Sequence, residues 1–188
     1  MKVENLFSES MEDGNFEELR EYEQLRFLER YAFVYNYEIR LTVAERLGNM
    51  KPREEAFSIL KRMIWDKDEL VAAEAIDSLG AKGDASCLFA LKRRLRCSRS
   101  KIVKGYAAIA IAEICVRSRC VLNETLNELV DIIAKEKDRW LLQNYYCAMY
   151  IIGQREYLGK LLAGQYDKDY RIRAVTKSML KDFVQDNG

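Results

Sequence analysis

The sequence predicts an all-α protein, an α-solenoid of about four helix pairs with a helical cap at each end. Three observations predict this class. The 188 residues include one proline and nine glycines, too few for a turn-rich all-β protein. Helix-forming residues dominate throughout the chain. A segment of about 32 residues recurs, which is typical of proteins built from stacked helix pairs.

Residues 1–35 are predicted to form the N-terminal helical cap. Apolar residues follow at three-residue steps: Phe16, Leu19, Tyr22, Leu25 and Leu28. The chain before Ser10 is expected to be loose. The aromatic segment "YAFVYNY" has two open interpretations, packing over the end of the stack or a patch that binds a partner.

Residues 36–188 are predicted to form the solenoid as one continuous domain. In the first two copies, 32 positions apart, Val71 aligns with Ile39 and Gly80 with Gly48. A residue suited to cap a helix N-terminus stands before each first helix: Asn36, Asp68, Ser100, Asp138 and Asp169. Gly48, Gly80 and Gly153 are expected to be left-handed C-caps. Because so short a pair cannot cover its own apolar stripe, the pairs must stack. The fifth unit has room for only one helix, which serves as the other cap.

The text "LVAAEAIDSLGAKGDASCLFALKRRL" resembles a short HEAT-like repeat of the phycobilisome-lyase type, whose first helix reads D-x-x-V-R-x-x-A-A-x-A-L-G. The resemblance covers roughly residues 36–184. The basic residue of this motif is kept at Arg40, Lys104 and Arg173 and replaced at Ala72 and Leu142. The resemblance implies the fold and no particular activity, because such repeats serve many unrelated roles.

The first helix of the third unit, residues 102–116, is apolar nearly all the way round. Tyr106 and Ile109 stand where other units carry polar outward residues. A helix without a polar face is normally buried on every side. We therefore expect that the N-terminal segment folds over this helix or that a second subunit docks there. An ordinary central helix with tightly packed small residues is the alternative.

Composition argues against an enzyme. With no histidine, the chain has no Ser/His or Cys/His nucleophile pair. It has no glycine-rich phosphate loop and no CxxC pair, so neither a cofactor nor a metal site is expected. The five cysteines are odd in number and irregularly spaced, as in a reduced protein. Because no signal peptide or membrane span is recognisable, we expect a cytoplasmic location.

A basic surface is the strongest candidate site. Residues 92–104 hold seven bases and no acid. In the second helix of the second unit, Arg93 lies opposite the apolar stripe, and the same positions one unit earlier are also basic. The predicted partner-binding residues are Lys61, Arg62, Arg93, Arg94, Arg96, Arg99, Lys101 and Lys104. One unit later the groove becomes acidic, with Glu124, Glu128 and Asp131.

These observations predict a protein-interaction scaffold or adaptor that holds an acidic segment of a partner in its concave groove. A nucleic-acid binder is the first alternative, but it would favour a basic groove without an acidic zone. An enzyme similar to alkylpurine DNA glycosylases, which combine a HEAT-like stack with aromatic residues and a carboxylate, is the least favoured. Trp65, Trp140, Asp68 and Asp138 are the residues that suggest it. The oligomeric state stays open.

Overall fold

The computed structural model describes residues 3–12, 14–120 and 123–185, and in these ranges the chain is helical without strands. The prediction of an all-α protein is confirmed. Short turns join the α-helices of the described ranges, with single 3-10 turns at Ala85–Cys87 and Gly164–Tyr166. The helices are α1 (Val3–Glu12), α2 (Asn15–Glu18), α3 (Glu21–Tyr31), α4 (Tyr37–Asn49), α5 (Glu54–Met63), α6 (Glu69–Lys82), α7 (Leu88–Cys97), α8 (Lys101–Arg117), α9 (Asn123–Lys135), α10 (Arg139–Ile151), α11 (Tyr157–Ala163) and α12 (Tyr170–Gln185). In the described part of the chain, none of them has the length and apolar character needed to span a membrane.

The five predicted N-caps are confirmed. Each side chain accepts a hydrogen bond, at 2.9 to 3.4 Å, from a backbone N–H in the first turn of its helix: Asn36, Asp68, Ser100, Asp138 and Asp169. In the last four, the side chain two residues earlier accepts the N–H of the cap itself, at 2.8 to 3.1 Å. These earlier acceptors are Asp66, Ser98, Glu136 and Asp167. The same turn is therefore built four times from local hydrogen bonds.

The helices that follow these caps pack against one another in chain order, α4 on α6, α6 on α8, α8 on α10 and α10 on α12. The helices between them pack at one side, α5 on α6, α7 on α8 and α11 on α10. One continuous apolar core runs from Phe7 to Tyr157. A smaller cluster of Cys147, Leu161 and Met179 closes the C-terminal end.

Two of the three predicted glycine C-caps are wrong. Gly48 and Gly80 lie inside α4 and α6 rather than after them. A Cβ on Gly80 would stand 2.9 Å from the Cα of Ala110, and one on Gly48 would collide with Ser78. These glycines therefore let neighbouring helices approach closely. Gly153, with φ of +106°, has the left-handed backbone that was expected.

Residues 3–9 are helical, so for them the expectation that the chain before Ser10 is loose is wrong. Residues 3–12 form α1, and Phe7 is buried. Its ring centroid lies 5.0 Å from that of Tyr31 and 5.8 Å from that of Phe27. The N-terminal helices thus cover the first end of the core, where α3 packs on α4 and α5.

Candidate functional site

Several of the predicted basic residues are already neutralised by carboxylates of this chain. Arg96 donates to both oxygens of Glu128, at 2.6 and 2.8 Å. Lys61 contacts Glu54 at 2.9 Å, and Lys101 pairs with Asp138. Glu54 lies on the same helix as Lys61, whereas Glu128 and Asp138 lie two helices farther along the chain than their partners. Because these charges have partners within the chain, they offer less to an incoming ligand than the sequence suggested.

Three other predicted residues form one surface with two exposed aromatic rings, which we call the arginine–aromatic strip: Phe33, Arg62, Trp65, Arg93 and Arg94. The guanidinium carbon of Arg62 lies 4.1 Å from the ring centroid of Phe33. Those of Arg93 and Arg94 lie 5.2 and 5.1 Å from the Trp65 ring. Phe33 and Trp65 are 47% and 41% exposed, so both rings are accessible to a partner.

Helix ends place the members of the strip. Phe33 follows α3 and Trp65 follows α5, whereas Arg62 occupies the last turn of α5. Arg93 and Arg94 lie in the second half of α7. Sequence reasoning found the arginines through the repeat spacing but did not connect them to Trp65 or Phe33. The exposed aromatic segment "YAFVYNY", which contains Phe33, was the available signal.

The arginines of the strip keep unused hydrogen-bonding capacity. The nearest carboxylate oxygen to Arg62 belongs to Glu29, at 3.8 Å. Among the described residues, Arg93 has no carboxylate partner and the buried Nε of Arg94 has no hydrogen-bond acceptor. Burial lowers the pKa of Arg94, but an arginine stays protonated in proteins. The strip is therefore a cationic surface whose arginines have few acceptors within the described part of the chain.

A cavity of about 660 Å³ lies between α7, α8, α9 and α10, and its lining begins on α7 with Leu95, the residue after Arg94. Leu95, Ile132 and Tyr145 supply its apolar wall. Its charged lining consists of Arg96, Lys104, Lys135, Glu124, Glu128, Asp131 and Glu136. The structure thus brings together the three acids that were predicted to end the basic groove.

The basic residues after α7 do not extend the strip as one surface. Arg99 is exposed in the turn before α8. Lys104 is half-buried and lines the cavity, whereas Lys101 lines a separate depression with Trp140 and Arg171.

Tyr106 and Ile109 have different surroundings. Tyr106 remains 39% exposed, and its pKa is raised by burial and by the carboxylates of Asp77 and Glu74. Ile109 is half-buried against the small C-terminal cluster. The described N-terminal helices pack at α4 and α5, so they are not the cover that was expected for α8. Docking of a second subunit stays a prediction.

No arrangement suited to a bound metal occurs among the described residues. All five cysteines are free thiols, and those at 87, 115 and 147 are buried. The acids named for a glycosylase-like enzyme, Asp68 and Asp138, both serve as helix caps.

The chain was also compared with known proteins. No family model matches it, and a search of the curated proteins finds no match.

Proposed function

We propose that the chain is a HEAT-like α-solenoid of about four helix pairs that works as a protein-interaction scaffold or adaptor. Its arginine–aromatic strip binds an acidic segment of a partner protein. The observation that carries this proposal is the set of three arginines held against two exposed aromatic rings, of which, among the described residues, only Arg62 lies within 4 Å of a carboxylate, that of Glu29 at 3.8 Å.

The repeated turn supports the architecture. Arg40 donates to the carbonyl oxygens of Val34 and Tyr35, at 2.8 and 2.7 Å, in the turn before its own helix. Arg173, at the same distance from its cap, donates to the carbonyls of residues 167 and 168 at 2.8 and 2.9 Å. The first and last units therefore use one arginine in one way, as copies of a single structural unit would.

Arginine chemistry supports an acidic ligand. A planar guanidinium pairs with a carboxylate through two parallel hydrogen bonds, and stacking on an aromatic ring leaves its edge free for that pairing. Because Trp65 and Phe33 already hold the guanidinium groups, the arginine side chains lose less conformational entropy when a partner binds. Each cation–π contact contributes about 0.5–1 kcal/mol at such exposed sites.

The neighbouring carboxylates favour a protein partner over a nucleic acid. Nucleic-acid affinity grows with each phosphate neutralised, and four carboxylates line the cavity beside the strip. A protein segment can match both signs of charge. The five free thiols suit a reducing compartment such as the cytoplasm.

The test is affinity capture from native cell extract, quantified by mass spectrometry. The bait is the wild-type protein beside Arg62→Glu/Arg93→Glu, which reverses one charge at each aromatic ring. The matched control is Lys168→Glu/Lys177→Glu, which reverses two exposed charges near the C-terminal helix. We expect a partner that the control retains and the first variant loses at least about tenfold, as for a lost charged hydrogen bond. An identical set of partners for all three baits would refute the proposal.

A further inference from the structure

One wall of the cavity is a tyrosine side chain whose hydroxyl has no protein partner among the described residues. Tyr145 is 1% exposed and lines the cavity. Within the described ranges its hydroxyl takes part in no hydrogen bond. The hydroxyl is not among the fully buried polar atoms that lack a partner, so it reaches the open space of the cavity. A hydroxyl that reaches a cavity of about 660 Å³ has room for a partner that comes from outside the chain.

The charge around this hydroxyl is negative. Burial and the nearby Glu136 carboxylate both raise the pKa of Tyr145. One oxygen of Glu136 accepts the backbone N–H groups of residues 137 and 138, at 2.8 Å each, so its second oxygen remains available. At the rim, Glu124 and Asp131 are exposed and form no ion pair with any described residue.

The cations of the cavity do not offset this charge fully. Arg96 is held by both oxygens of Glu128. The other two cations of the lining, Lys104 and Lys135, are outnumbered by its other three carboxylates, those of Glu124, Asp131 and Glu136. The lining as a whole has four carboxylates and three cations. An anionic ligand would meet the exposed acids of α9 first, whereas a cationic group would be attracted.

We propose that this cavity binds a lysine or arginine side chain of the partner segment. The inference rests on the proposed function and specifies the partner further. The aliphatic stem of the side chain packs on Leu95 and Ile132, as such stems commonly do on apolar surface. Its charged head reaches the Tyr145 hydroxyl, which accepts a hydrogen bond, and the carboxylates of Glu136 and Asp131.

Helix α7 contributes residues to both the strip and the cavity, so the spacing between them indicates the spacing of charges in the partner. Arg96 follows Arg93 by three residues on α7, which is about 5 Å along the helix axis. The acidic strip ligand and the basic cavity ligand therefore lie close together. The partner segment has acidic residues with a lysine or arginine a few positions away.

The experiment measures fluorescence anisotropy with labelled synthetic peptides. One peptide has four acidic residues, a two-residue spacer and a lysine, and the second replaces that lysine with uncharged norleucine. Both are also made with the reversed residue order. The proteins are wild type, Tyr145→Phe, Asp131→Asn and the control Glu55→Gln, which removes an exposed carboxylate on α5 outside the cavity. Circular dichroism confirms that each variant is folded.

We expect wild type and the control to bind the lysine peptide, in one of the two orders, about tenfold more tightly than its norleucine counterpart. Tyr145→Phe and Asp131→Asn should reduce this preference to about threefold or less. Equal affinity of wild type for both peptides, with both lost in Arg62→Glu/Arg93→Glu, would overturn the cavity inference and leave the strip intact. Binding that survives Arg62→Glu/Arg93→Glu would overturn the proposed function itself.

Discussion

The ion pair between Arg40 and Asp66 gives the sharpest prediction about the fold. Both side chains are almost fully buried, with 4% and 7% exposed. Arg40 donates to the two carboxylate oxygens at 2.6 and 2.9 Å. It also donates to the carbonyls of Val34 and Tyr35, so the substitution Arg40→Met removes four hydrogen bonds while keeping an apolar stem.

The expected loss of stability in Arg40→Met follows from the Asp66 carboxylate that the substitution leaves without its partner. Removing one partner of a buried ion pair costs about 3–5 kcal/mol, because the other charge stays buried and unpaired. Asp66 retains one donor, the N–H of Asp68 at 2.8 Å, which places the expected loss near the lower limit, about 3 kcal/mol. For a domain of this size each kcal/mol lowers Tm by about 2–4 °C. We therefore expect Arg40→Met to lower Tm by about 6–12 °C.

Urea unfolding and thermal unfolding followed by circular dichroism measure this loss. The control is Lys101→Met, which removes an ion pair whose lysine is 62% exposed and should cost at most about 1 kcal/mol. Adding Asp66→Asn to Arg40→Met should restore about 1–2 kcal/mol, because the unpaired charge disappears. A loss below about 1 kcal/mol for Arg40→Met, equal to the control, would refute the claim that burial makes this pair important.

Three further predictions concern packing, pH and thiol reactivity. Gly80→Ala should destabilise the protein by about 1–3 kcal/mol through overpacking, whereas Gly159→Ala should stabilise it by up to about 1 kcal/mol, as measured by urea unfolding. Hydrogen bonds from the neighbouring arginine lower the pKa of Asp169 to about 2, so its stabilising contribution is complete above the unfolded value of about 3.9 and disappears as pH falls towards 2. The Tm difference between wild type and Asp169→Asn should therefore shrink over that interval. Exposed Cys97 should react with Ellman's reagent first, and Cys115, whose pKa burial raises to about 11, among the slowest.

Each of these predictions has an outcome that contradicts it. A Cβ on Gly159 meets no atom within 4 Å. Equal changes in stability for Gly80→Ala and Gly159→Ala would therefore show that helix propensity alone determines the effect of each substitution. A Tm difference that is constant from pH 6 to pH 2 would exclude a role for the Asp169 charge. Equal reaction rates for Cys97 and Cys115 in the folded protein would contradict the burial of Cys115.

Sequence reasoning succeeded where the cause of a structure is local. The N-caps depend on one side chain and the backbone two or three residues ahead, so Asp68 and Ser100 could be assigned from the text alone. The prediction for Gly80 was wrong because the role of this glycine depends on Ala110, 30 positions away. No local pattern distinguishes a glycine that ends a helix from one that lets a neighbouring helix pack closely. Trp65 was missed as a partner of Arg93 for the same reason.

Repeat spacing also explains which predicted cations are available to a ligand. Arg96 and Glu128 are 32 positions apart, so the ion pair joins residues one unit apart. The residue 32 positions after Arg62 is another arginine, Arg94. The residue 32 positions after Arg94 is the apolar Leu126. Arg62 and Arg94 thus have no acid at the position that neutralises Arg96. Both arginines contact aromatic rings, which attract a cation without neutralising it, and Arg62 also lies 3.8 Å from Glu29. The proposed binding surface therefore lies where the acid found opposite Arg96 is missing.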